Sequence, residues 1–217
     1  MRQLAGIFIS LEGGEGAGKS TLAAGLGRYF TEQGASVVLT REPGGTPLAE
    51  KVRDLALAPA EDGKRFSPLA LALLMNAARA DHLQNLIVPK LEAGSVVISD
   101  RFSDSTLAYQ SARGGVSMAL LEQLTEMVVG ACMPQVTLLL DAPPETLLAR
   151  RKGRAGPVDV FEAEDLEFHQ AVREAFLHLA RKNPSRIKVM DALLPAGQLL
   201  AAAQAAIESS LAAEVHG

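Results

Sequence analysis

Gly13-Gly14-Glu15-Gly16-Ala17-Gly18-Lys19-Ser20-Thr21 completes the pattern G-x-x-x-x-G-K-[ST] directly after an apolar run, Ile7 to Leu11, that reads as a buried strand. The glycines let the backbone curl so that successive amide N–H groups point inward, and the helix predicted to follow adds the positive end of its dipole. Such a loop cradles polyanions. Lys19 is placed to reach the outer phosphates of a bound nucleotide and the Ser20 hydroxyl to ligate Mg2+, which makes a nucleoside triphosphate the default ligand. A glycine-rich turn with an incidental lysine is the competing interpretation, and the complete spacing between strand and helix speaks against it.

Working outward, strand-like apolar runs recur at Ile7 to Leu11, Ser36 to Thr40, Ser95 to Ser99, Val136 to Leu140 and Ile187 to Met190. Longer segments of helical periodicity separate them, predicting helices near 19–33, 47–57, 68–93, 104–111, 117–131, 144–152, 162–182 and 196–213. Short continuous apolar strands suit a parallel sheet covered on both faces, so the class is α/β with helices on either side. In open sheets of this kind ligands sit outside the carboxyl ends of the strands, which directs attention to the residues after each run.

The 217 residues form one expected domain, since no linker or composition break divides them. With 48% hydrophobic and 21% charged residues and a net charge of −4, the surface does not suit broad coating of nucleic acid. No run approaches the ~18 apolar residues of a membrane span, and no signal peptide precedes the first strand, so a cytoplasmic location is expected. Cys132 is the single cysteine, excluding an internal disulfide and reading as a small core residue. His82, His169 and His178 lack metal-ligand spacing and read as solvated or partly packed helix residues.

The strand ends carry polar chemistry. After the second comes Arg41-Glu42-Pro43-Gly44-Gly45-Thr46, a turn that can shape itself around a substrate. After the third comes Asp100-Arg101: the aspartate can hold Mg2+ directly or through water, and the arginine can fork onto a phosphate. Asp141 ends the fourth strand and competes for the metal, but Ala142-Pro143-Pro144 reads as a helix entry, which favours Asp100. Phosphoryl transfer asks mainly for positioned cations. Beyond Lys19 and Arg101 these are Arg41, Arg53, Arg79 and the cluster Arg150, Arg151, Lys152 and Arg154. Flanked by Gly153, Gly156 and Pro157, the cluster reads as a basic flap at about 150–160 that closes over ATP, or else as a helix end whose cations complement the dipole.

Across nearly its whole length the chain resembles the thymidylate kinases. The likeness rests on Phe8-Ile-Ser-Leu-Glu-Gly-Gly-Glu-Gly-Ala-Gly-Lys-Ser-Thr21, Arg41-Glu-Pro-Gly-Gly-Thr46, Ala77-Ala-Arg79, and Asp100-Arg101 with Ser105-Thr106 and Tyr109-Gln110. The resemblance implies a three-layer P-loop kinase fold with a five-stranded parallel sheet, a homodimer, and transfer from MgATP to dTMP. It gives Gly13 to Thr21 and Arg150 to ATP and Ser20 and Asp100 to the metal. On the acceptor side Glu15 meets the sugar 3′-hydroxyl. Arg101 and Arg53 hold the phosphate with Arg41 nearby, Arg79 faces the thymine carbonyl edge, and Thr106 faces the base N3–H. Tyr109 packs where a ribose 2′-hydroxyl would project, and Ser105 and Gln110 complete the pocket. Gly16 stands where some members carry an arginine, so the catalytic arginine is expected from the flap, Arg154 ahead of Arg151, alongside Lys19 and Arg101. Met75 stands where the family commonly stacks a phenylalanine on thymine. It is expected to line the base, or else to belong only to the core.

Three other functions fit parts of this pattern. A kinase for another nucleoside monophosphate would need a different set around the base than Arg79, Thr106 and Tyr109; a nucleotide-dependent switch ATPase would use hydrolysis to control a partner, and the sequence holds no N-K-x-D guanine-reading motif that would make it a GTPase; a salvage kinase acting on the nucleoside itself would not need arginines for an acceptor phosphate.

Overall fold

The computed structural model describes residues 6–58, 66–152 and 164–215. Five parallel strands, β1 (Ile7–Gly13), β2 (Val37–Arg41), β3 (Val96–Asp100), β4 (Val136–Asp141) and β5 (Ile187–Asp191), form one sheet in the order β2-β3-β1-β4-β5. The helices are α1 (Lys19–Glu32), α2 (Pro47–Leu57), α3 (Pro68–His82), α4 (Val88–Glu92), α5 (Ser103–Ala112), α6 (Met118–Val129), α7 (Pro144–Lys152), α8 (Leu166–Lys182) and α9 (Ala196–Val215). The strands are largely apolar because alternate residues enter different layers. Ile9, Leu11, Ile98, Leu138 and Leu140 pack with Leu22 and Leu26 of α1 and Ala203 and Ile207 of α9. Phe8 and Val97, on the opposite face, meet Ile87, Leu91 and Phe102, while Leu139 joins Leu107, Leu121 and Phe176. Each large side chain fully buried in this way contributes about 1.5–3 kcal/mol.

Every expected strand and helix is present, with informative differences at the ends. The strands run on by one or two residues, so Asp100 and Asp141 are their last members. Ser117 and Asp165 are caps that accept the Leu120 and Phe168 amides, which starts α6 and α8 later than the periodicity suggested. The predicted helix 68–93 is helical from Pro68 to Glu92 but widens into a π-helical turn at Leu83–Ile87, where the Val88 amide reaches back to the Leu83 carbonyl. Pro89 explains the widening, since it has no N–H to offer the preceding turn and its ring crowds the carbonyl there. Among the described residues no helix is long and apolar enough to cross a membrane.

The chain leaves β1 for β2 and β3 on one side and later adds β4 and β5 on the other. Loops following β1, β2 and β3 therefore open onto one crevice at the carboxyl edge.

Candidate active site

The cradle begins where β1 ends. At Gly13, φ is +128°, and an added Cβ would run into the Leu140 carbonyl oxygen. Only glycine fits there. Gly18 precedes α1 in a left-handed conformation without a side-chain cap, and the first turn of α1 holds no acidic residue, so its amides and dipole are open to an anion. Lys19 is buried, with Nζ donating to the carbonyls of Gly13 at 3.1 Å and Gly14 at 2.9 Å. Burial and the nearby Arg101 charge lower its pKa, against the pull of Glu15, Asp100 and Glu12.

Ser20, the second residue of α1, donates to Asp100 Oδ2 at 2.9 Å. A hydroxyl and a carboxylate are oxygen donors of the kind Mg2+ prefers. No group of three or more His, Cys, Asp or Glu that could hold a metal occurs among the described residues, so the pair suits an ion completed by phosphate oxygens and water. Asp141, the competing aspartate, is instead clamped by Arg173 Nε and Nη2 at 2.7 and 2.8 Å.

Arg101 occupies the middle of the crevice. Its φ of +70° is unique among the described non-glycine residues, and its amide is held by the Leu11 carbonyl at 2.8 Å. Nη1 donates to the Gly13 carbonyl and Ser105 Oγ, and Nη2 to Glu15 and to Tyr109 Oη at 3.1 Å. The guanidinium also lies 5.0 Å from the Tyr109 ring centroid. Burial works against its charge, but Glu15, Tyr109, Asp100 and Glu12 outweigh burial and raise its pKa well above the ordinary value. Ser105 in turn donates to Glu12 Oε2 at 2.5 Å, and Glu12 Oε1 accepts the Phe102 amide at 2.8 Å. Burial pushes the Glu12 carboxyl up to about 8, with Asp104 adding to the rise and Ser105, Arg101 and the Phe102 amide opposing it.

Opposite the cradle, Arg79 of α3 is walled in. Nε donates to Glu42 Oε2 at 2.8 Å, Nη1 to Asn76 Oδ1 at 3.0 Å, and Nη2 to the Phe102 carbonyl at 3.2 Å and Thr106 Oγ1 at 2.9 Å. Arg53 donates to the Pro43 carbonyl, while exposed Arg41 pairs with Glu50, which also accepts the Gly45 amide. Gln110 Oε1 is buried without a hydrogen-bond partner, an acceptor whose desolvation is uncompensated. Met75 packs with Leu71 and Ala72 in the core and also lines the crevice, whereas Leu73 on the same helix is exposed.

One cavity of about 310 Å³ joins these groups, bounded by Glu15, Gly16, Gly18, Lys19, Ser20 and Thr21 at the cradle. Asp100, Arg101, Ser105 and Tyr109 line its middle, and Arg41, Arg53, Met75, Arg79, Thr106 and Gln110 its far side. Gly13 and Gly14 back onto a smaller hollow against Leu139, and Ala17 is in the core. Arg150 turns to the Ala192 carbonyl at 2.8 Å. Arg154 and the side chain of Arg151 lie outside the described residues. Sequence reasoning missed Glu12, Glu42 and Asn76. His82 needs correction: it is fully buried and bonded to Glu42 and Thr40, rather than solvated or partly packed. Its i, i+3 spacing from Arg79 put both on one helix face, but their common partner comes from another segment.

A family model described as thymidylate kinase matches residues 11–202. The chain is 50% identical over 186 residues to a thymidylate kinase of Symbiobacterium thermophilum, covering 86% of this chain and 85% of that one. It is 47% identical over 211 residues to a thymidylate kinase of Ectopseudomonas mendocina, covering 96% of each. A crystal structure of thymidylate kinase from Ehrlichia chaffeensis superposes with a TM-score of 0.75 at 32% identity, over 94% of this chain and 98% of that one.

Proposed function

The chain belongs to the thymidylate kinase family, and from that membership we propose that it transfers the γ-phosphoryl group of ATP to dTMP, yielding dTDP and ADP on the route to dTTP. The observation that carries the assignment is one cavity lined both by the phosphate cradle and by Arg101 and the buried Arg79. At neutral pH a phosphate monoester is largely dianionic, with a second pKa of about 6, so an oxygen of dTMP attacks the γ-phosphorus without a protein base. ADP departs with the former bridging oxygen. The protein supplies alignment and cations.

On the donor side, the loop amides and Lys19 bind the ATP phosphates. Ser20, and Asp100 directly or through water, would hold Mg2+, which would supply positive charge to the ATP phosphates. Arg101 and Arg53 bind the acceptor phosphate, with Arg41 beside them, and Glu15 accepts the sugar 3′-hydroxyl. Arg79 donates to the thymine carbonyl edge. Thr106 accepts from N3–H, and the unpaired Gln110 oxygen offers a second acceptor nearby. Tyr109 occupies the room of a ribose 2′-hydroxyl, and Met75 lies against the base. Arg154 or Arg151, on a lid at about 150–160 of a single domain, delivers the last positive charge, with Arg150 at the donor nucleotide. A cytoplasmic homodimer completes the proposal, supported by outward-facing Leu69, Leu73, Leu120 and Met127 on α3 and α6.

The test is ADP release in MgATP with each monophosphate in turn. Turnover should be much faster with dTMP than with dCMP, dGMP or UMP, and equal or better use of any of those rejects the substrate assignment.

A further inference from the structure

His82 is a histidine without exposure, one turn beyond Arg79 on α3. Its Nδ1 lies 3.1 Å from Glu42 Oε1 and its Nε2 2.7 Å from Thr40 Oγ1. An ionised carboxylate only accepts, so Nδ1 carries a hydrogen toward Glu42 and the Thr40 hydroxyl can complete the pairing at Nε2. The other carboxylate oxygen, Oε2, accepts from Arg79 Nε at 2.8 Å. Glu42 is thus stretched between two cationic or N–H-bearing groups, one oxygen for each, and cannot rotate without breaking both contacts. The backbone is drawn to the same ring: Gly45, at φ +89°, approaches so closely that a Cβ would collide with the imidazole.

The arginine at the end of this chain is nearly fully committed. Four of its five N–H groups have protein acceptors, namely Glu42, Asn76, the Phe102 carbonyl and Thr106, which leaves one Nη1 hydrogen. A single remaining donor has value only if its direction is fixed, and the plane of the guanidinium is set by the Nε bond to Glu42 and the Phe102 ring 5.3 Å below. Thymine presents a carbonyl oxygen at position 4 where cytosine presents an amino group, so a fixed donor there attracts the first base and repels the second.

We infer that His82 is a positioning residue for base selection: through Glu42 it orients the guanidinium of Arg79, and so governs discrimination of dTMP from dCMP without touching the nucleotide. This rests on the assignment of Arg79 to the thymine carbonyl. His82→Leu removes the N–H toward Glu42, and His82→Asn restores a donor near the place of Nδ1. With His82→Leu, the ratio of kcat/KM for dTMP to that for dCMP should fall about tenfold, the equivalent of one buried hydrogen bond, through a higher KM for dTMP at a kcat within about threefold of wild type. His82→Asn should recover the ratio to within about threefold. In an Arg79→Lys background, His82→Leu should change it no further.

A residue that only stabilised the fold would lower Tm in both His82 variants and leave the ratio alone. If the leucine variant does not fold, Glu42→Gln, which breaks the same link, must show the same loss. Unchanged selectivity in His82→Leu or in that substitute, while Arg79→Lys lowers it, overturns the role of His82 alone, as does an asparagine variant no better than leucine. Unchanged selectivity in Arg79→Lys overturns the reading of Arg79 and the inference with it.

Discussion

Glu12→Gln probes a strongly perturbed carboxyl buried beneath the crevice. Glu12 is fully buried at the end of β1, and burial with the neighbouring Asp104 lifts its pKa from the ordinary 4.5 to about 8. The folded protein therefore keeps a proton that the unfolded chain releases. Stability from this group is complete below about pH 4.5 and is lost as pH rises toward and through 8. Within that window one proton separates the two states, a slope of about 1.4 kcal/mol per pH unit, or about 2 kcal/mol between pH 6 and 8 after allowing for partial ionisation near the upper end. For a chain of 217 residues that corresponds to a Tm decrease of about 4–8 °C. Glutamine copies the proton-bearing form: its oxygen still accepts from the Phe102 amide, and its N–H, like the O–H of the protonated acid, turns a donor to the Ser105 oxygen, whose hydroxyl donates to the ionised carboxylate. Thermal melts at constant ionic strength should show wild type losing stability across this range and the variant losing less, so that the two curves converge or cross near pH 8. Parallel curves for the two proteins would refute the assignment of a raised pKa to Glu12.

Three further outcomes are expected. Lys19→Ala should slow single-turnover transfer by about 10²–10³-fold while shifting Tm only slightly, because Nζ bonds only the cradle's own carbonyls; a near-normal rate contradicts its role. Tyr109→Phe should keep discrimination against the ribonucleotide, since the ring is held by Phe168 and Phe176, and Tyr109→Ala should weaken it; equal discrimination in all three proteins removes the packing explanation. Cys132 is buried, and burial raises its thiol to about 11, so the native protein should react with a thiol reagent at pH 8 far more slowly than the urea-unfolded chain.

The layers of the fold and one half of the site were readable from sequence because their causes are local or periodic. The cradle is a run of nine residues whose glycines obey backbone sterics, and the strands are apolar runs because both faces of the sheet are covered. Helix starts at Pro47 and Pro68 follow from Thr46 and Ser67 capping the turn ahead of a proline. What escaped depends on partners far along the chain. For the strand-end aspartates the sequence offered only the helix entry after Asp141 as a reason to prefer Asp100, and the partners that separate them, Arg173 and Ser20, lie 32 and 80 residues away. The same holds for His82, whose role requires Glu42 to arrive from 40 residues away.

That division follows a difference in rigidity across the crevice. Arg79, Thr106 and Gln110 are between 1% and 4% exposed, fixed where α3 meets α5, so the proposed base pocket is dry and preorganised, and each hydrogen bond left unmet there is costly. Lys19 and Arg101 are held almost as firmly, but the outer cations proposed for the phosphates are less constrained: Arg41 is 56% exposed and pairs with Glu50, and Arg150 bonds the Ala192 carbonyl. A long side chain in water pays entropy to be held and gains little from one ion pair, so such residues can follow phosphates that shift as transfer proceeds. Selectivity therefore needs a built network, which sequence conceals because its members are scattered, whereas charge compensation needs only cations near a strand end, which sequence reveals directly.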